Sequence, residues 1–113
     1  MPPALSLVKG TLDLLILRAL AWQPMHGFEI ASWLEDRSDQ RLSITDAALL
    51  QALHRMEARG LVVADWGMTE NDRQARYYRM TSRGKAHLRA ESKALSDHIG
   101  ALSAILTARG VSR

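Results

Sequence analysis

From Leu12 onward the apolar positions fall at helical spacing. Leu12, Leu15, Ile16, Ala19 and Leu20 form one stripe and predict a helix over Leu7 to Ala21. Leu14 and Leu17 lie off that stripe, so this helix should be buried on more than one side. Pro24 sits in the loop that closes it. A second helix is expected from His26-Gly27 to about Asp36, with Phe28, Ile30, Ala31 and Leu34 on its apolar side. Ser38 to Arg41 reads as a polar loop. Leu42 and Ile44 alternate with polar residues, as in a very short strand. Thr45 or Asp46 can cap a third helix by accepting free amide hydrogens of its first turn. Gly60 is placed to stop that helix after Arg59. At 100° per residue, Leu49, Ala52, Leu53 and Met56 share one side. Leu50, Gln51, His54, Arg55 and Ala58 share the other.

Beyond Gly60 the period changes. Leu61 to Trp66 and Ala75 to Met80 are rich in strand formers, and the polar turn Gly67 to Gln74 separates them, which predicts a hairpin with a long loop. Thr81 can cap a last helix reaching about Ala108, before Gly110. In it Leu88, Leu95 and Leu102 recur at seven residues, as do Ile99 and Leu106. Such interleaving is a coiled-coil-like seam, and a partner helix is its natural cover. The order is helix, helix, short strand, helix, hairpin, long helix. This is a mostly α chain with a small β-hairpin: a winged helix-turn-helix over residues 1–80 and a dimerisation helix over 81–110.

Charge sharpens that picture. Residues 1–50 carry four Lys/Arg against six Asp/Glu, and residues 51–113 carry eleven against six. Arg73, Arg76, Arg79, Arg83, Lys85 and Arg89 follow one another with no acid among them, and such a surface attracts polyanions. A helix held on a trihelical core fits the DNA major groove, about 12 Å wide. Gln51 suits an adenine edge, Arg55 a guanine edge or a phosphate, and His54 either. Arg73 near the hairpin tip, with Arg76 and Arg79 on the return strand, suits phosphates or the minor groove. Tyr77 and Tyr78 divide between packing under the hairpin and touching phosphate. The pattern does not assign them, and Tyr78 stands among the candidates for DNA contact.

Other chemistry is sparse. The absence of cysteine excludes a disulfide scaffold and thiolate metal sites and is compatible with a reducing cytoplasm. Asp13 and Arg18 interrupt the first apolar stretch, so neither a signal peptide nor a membrane span is expected. No nucleophile elbow, phosphate loop or metal pair suggests an enzyme. His87 and His98 would lie about 16 Å apart along one helix. Trp22, Trp33 and Trp66 are candidates to line a hydrophobic effector pocket between the wing and the last helix. Core or interface packing is their alternative use.

Four segments together resemble the PadR family of bacterial transcriptional regulators. They are Leu7-Val8-Lys9-Gly10-Thr11-Leu12-Asp13-Leu14-Leu15-Ile16-Leu17; Pro24-Met25-His26-Gly27-Phe28-Glu29-Ile30; Ala52-Leu53-His54-Arg55-Met56-Glu57 with Gly60-Leu61-Val62; and Arg76-Tyr77-Tyr78 with Thr81 and Gly84. The resemblance implies a homodimeric repressor of the short-tailed branch, with one C-terminal helix carrying dimer contacts. It also implies an inverted-repeat operator, and it permits a small aromatic or drug-like effector. The chain departs from the family at the start of the reading helix. Ala47-Ala48-Leu49-Leu50-Gln51 stands where Gly-Thr-Leu-Tyr-Pro is usual. Leu50 therefore lacks the hydroxyl that relatives turn to the DNA backbone. The rival reading is a winged-helix dimeric interaction module without specific DNA binding.

Overall fold

The computed structural model describes residues 10–110. The elements are α1 (Thr11–Leu20), α2 (Gly27–Arg37), α3 (Asp46–Ala58), β1 (Val62–Met68), β2 (Gln74–Met80) and α4 (Ser82–Leu106). The expected turn of helix over Leu7 to Lys9 lies outside the described residues. Among those residues no helix is long and apolar enough to cross a membrane.

The core sits where α1, α2 and α3 meet the base of the hairpin. Ile16, Leu17, Ile30, Leu53, Met56 and Val62 are its fully buried side chains. Leu14 and Leu17 are buried together with Ile16, Ala19 and Leu20, so α1 is enclosed on several sides as its sequence requires. Local chemistry fixes the helix ends. The Thr45 hydroxyl accepts the Ala48 amide at 3.1 Å, satisfying one free donor of α3. After α3, Gly60 takes a left-handed φ of 75°, a conformation that costs glycine little, and the Leu61 amide bonds back to the Met56 carbonyl. At α2, His26 Nδ1 accepts the Glu29 amide and the Glu29 carboxylate accepts the His26 amide, a reciprocal cap.

β1 and β2 pair antiparallel from Val62–Met80 to Met68–Gln74. β1 thus runs two residues beyond the sequence expectation. The turn is closed by the Thr69 amide on the Arg73 carbonyl, while the Thr69 hydroxyl accepts the Asn71 and Arg73 amides. The short strand expected at Leu42 and Ile44 is not formed. Ile44 packs against the core without strand pairing, and the Leu42 amide bonds the Ser38 hydroxyl. The position beside β2 belongs instead to Met25, which exchanges both backbone hydrogen bonds with Tyr78. One further expectation fails: Phe28 is 78% exposed, because it stands about 200° around α2 from buried Ile30.

Helix α4 begins under the hairpin. The Thr81 hydroxyl accepts the Gly84 amide and donates to the Gly60 and Leu61 carbonyls, tying α4 to the end of α3. Gly84 is buried there, and Leu88 packs on the core. The helix then leaves the body. Twenty-five residues at 1.5 Å rise make a rod of about 37 Å, which accounts for a molecule 65 Å long but only 36 × 21 Å across.

Candidate nucleic-acid interface

Because α3 commits Leu49, Ala52, Leu53 and Met56 to the core, its opposite face must point outward. Leu50, Gln51 and His54 are exposed there. Beside them the inner side of the hairpin and the start of α2 enclose an open groove of about 880 Å³. Phe28, Leu50, His54, Trp66, Arg73 and Tyr77 are among its walls. His26 lays its ring edge-on against Tyr77, with centroids 5.2 Å apart, and the Tyr77 hydroxyl donates to the Met68 carbonyl. The cap of α2 and the wing are thereby joined through two rings. Phe28, Leu50 and Trp66 remain 50–78% exposed, so the groove rim is apolar as well as basic.

The basic candidates split into free and engaged groups. Arg73 is exposed at the turn. Arg79 is half-exposed and only loosely opposed to Asp65 at 3.8 Å, a surface contact worth little in water. Arg55 and Arg76 are engaged. The Arg55 guanidinium donates to the buried Asp13 carboxylate at 2.7 Å, bridging α3 to α1. Arg76 donates to Glu57 at 2.9 Å and lies over the Tyr78 ring, 5.6 Å from its centroid. Arg76 therefore does not project free from the wing: its guanidinium stands against Glu57 and ties the wing to α3. Arg76→Ala should lower the melting temperature by about 5 °C, as roughly 1 kcal/mol of partly exposed pairing disappears. A thermal melt checks this.

Tyr78 is a second correction. It is only 3% exposed and belongs to the core cluster, because Met25 closes over its strand, so DNA contact does not fall to it. The tryptophans are a third. Trp66 alone of the three lines the groove. Trp33 packs against the core with its indole nitrogen buried and unpartnered, under the guanidinium of Arg37. Trp22 is 67% exposed after α1. On α4, Leu88 packs, half-buried, against its own chain's core. Leu95 is half-buried, and Ile99, Leu102 and Leu106 are exposed, joined by Ile105, which the heptad count passed over.

The sequence reading missed Asp13 and Glu57, the partners that engage the two arginines. Asp13 did leave a signal: a carboxylate inside a buried apolar helix needs a counter-charge. Nothing in the spacing says that this charge lies 42 residues away.

Comparison with known proteins agrees with this geometry. Residues 16–90 match the model of the transcriptional regulator PadR-like family. An uncharacterized protein from Lysinibacillus sphaericus is 32% identical over 83 residues, covering 74% of this chain and 76% of its own length. The crystal structure of a PadR family transcriptional regulator from Eggerthella lenta is 25% identical, with a TM-score of 0.74 over 89% of this chain and 86% of its own. A Streptococcus mutans structure matches the fold over 100% of both chains, with a TM-score of 0.80 at 21% identity. The family regulates transcription and performs no enzymatic reaction. With its outward α3 face, its wing and this match over most of its length, the chain belongs to the PadR-like family of transcriptional regulators.

Proposed function

We propose that the chain is a cytoplasmic homodimeric repressor that reads an inverted-repeat operator with Gln51 and His54 of α3. In this reading residues 81–110 supply the dimer contacts. The observation that carries it is the division of α3: four residues lock it into the core while Gln51 and His54 stand free beside a wing whose tip carries Arg73. Arg73 and Arg79 act as phosphate contacts that set position rather than sequence. A small hydrophobic effector seated beside Trp66 would obstruct the same face, and the groove has the size of a small-molecule site.

The test is fluorescence anisotropy on duplexes that the wild-type protein selects from a random pool. Gln51→Ala should weaken the selected duplex by roughly 1–3 kcal/mol and random DNA hardly at all. Unchanged affinity in Gln51→Ala, His54→Ala and Arg55→Ala alike would remove α3 from the reading role. One observation favours the rival interaction module. Phe28, Leu50 and Trp66 give the groove an apolar rim while Arg55 and Arg76 are engaged. Failure to enrich any sequence at moderate salt would favour that rival.

A further inference from the structure

Asp13 is the one acidic side chain in the buried set of the described residues, with 6% of its side chain exposed. It stands in the first turn of α1, where a helix N-terminus favours negative charge. Its neighbours Leu14, Ile16 and Leu17 are buried, so the carboxylate is mounted on a rigid part of the core. Its partner is the reverse case. Arg55 rises from the outward side of α3, one residue after His54, and its side chain is 53% exposed. A buried ion pair is poor evidence of stabilisation, because apolar residues of similar volume hold a core as well. What this pair does provide is direction. A guanidinium has five N–H donors, and the contact with Asp13 uses one nitrogen, Nη2. The Arg55 side chain stays 53% exposed, on a residue that shares the outward side of α3 with Gln51 and His54.

We propose that Asp13 is a positioning residue for DNA recognition: it touches no DNA, and it fixes the Arg55 guanidinium so that its free donors meet a base edge or a phosphate already oriented. The inference rests on the DNA-reading role of α3. A free surface arginine loses rotamer freedom when it binds, and prior restraint by Asp13 removes that loss, a factor of roughly three to ten in affinity.

The experiment uses the full chain and a labelled duplex selected by the wild-type protein from a random-sequence pool. Asp13→Asn keeps the shape and removes the charge. It should weaken binding roughly three- to tenfold while the dependence of log K on log salt keeps its slope, because every cation is still present. Arg55→Ala should weaken binding at least as much. The Asp13→Asn/Arg55→Ala double variant should bind no worse than Arg55→Ala alone, since Asp13 acts only through that arginine. A merely structural Asp13 would act through the same ion pair and couple in the same way, so the melting temperature is read beside the affinity, and a loss of binding that only parallels a loss of folded protein overturns the proposal. Wild-type affinity in Asp13→Asn overturns it as well. Should Asp13→Asn fail to fold, Arg55→Lys decides: it keeps the charge but loses the fork that spans carboxylate and DNA. A similar roughly three- to tenfold loss supports the proposal, and full affinity overturns it. If the wild-type protein enriches no sequence, the DNA-reading role itself falls. Normal enrichment with an indifferent Asp13→Asn removes only the role of Asp13.

Discussion

If the proposed α4 pairing holds, Leu102→Asp should leave the protein monomeric at micromolar concentration and abolish tight operator binding, while leaving the body folded. Beyond Leu95 the apolar side of α4 stands largely open among the described residues: Ile99 is 55% exposed, Leu102 47%, Ile105 73% and Leu106 82%. Four large apolar side chains on one projecting rod make a contiguous apolar patch of the kind that marks an interface. Under the proposed two-fold pairing, a substitution enters the interface twice. Each carboxylate would be buried without a counter-charge, so it would either stay hydrated and hold the helices apart or cost several kcal/mol. DNA binding should fall with the dimer. Two linked reading heads bind far more tightly than one, by roughly 10²–10⁴-fold, only while both engage the same duplex. Sizing chromatography with light scattering gives the mass, and anisotropy on the selected duplex gives the affinity. Because Leu102 stands clear of the core, the far-UV spectrum and the melting of the body should change little. A protein that remains dimeric would place the interface elsewhere.

The features legible in the sequence were those written as period and punctuation. The 3.6-residue spacing of Leu49, Ala52, Leu53 and Met56 oriented α3 correctly. Thr45 and Gly60 marked its ends because caps and left-handed turns accept few residue types. Thr81 announced α4 for the same reason. Local pattern failed where long-range packing decided. Leu42 and Ile44 alternate like a strand, yet Met25 holds the place beside β2, and only the tertiary fold chooses between them. Arg76, Tyr77 and Tyr78 alternate faces in any strand. Which face the body covers depends on Met25 and Glu57, far away in sequence. Arg55 looked like any exposed basic residue until Asp13 was found beneath it. The exposure of Gln51 and His54 is legible in the sequence because they sit within one regular helix.

Gly84→Ala should be the most destabilising single-methyl change in the described chain, lowering the melting temperature by roughly 12–24 °C. On an exposed helix the same exchange stabilises, by up to about 1 kcal/mol, because glycine holds more freedom in the unfolded chain. Gly84 reverses the sign through its surroundings. It lies in the first turn of α4, buried where that helix crosses the start of β1, and a Cβ would run into the Leu61 carbonyl oxygen. The same Cβ would stand 2.8 Å from Met80 Cγ. Met80 is flexible enough to yield; Leu61 is backbone and is not. Its carbonyl already accepts the Thr81 amide and hydroxyl, both at 3.1 Å, so moving it loosens the joint that caps α4. Overpacking against fixed atoms costs about 3 kcal/mol, and at 4–8 °C per kcal/mol in a domain near this size the melting point falls by the amount stated. Gly100→Ala supplies the control. It lies in the same helix with nothing within 4 Å of its Cβ, so that variant should melt at or slightly above the wild-type temperature. Differential scanning calorimetry on the two variants separates a helix-propensity effect from a steric one. Equal melting points for both would show that α4 has room to shift on the body, and its base would then be too loose to hold two α3 helices at a fixed spacing.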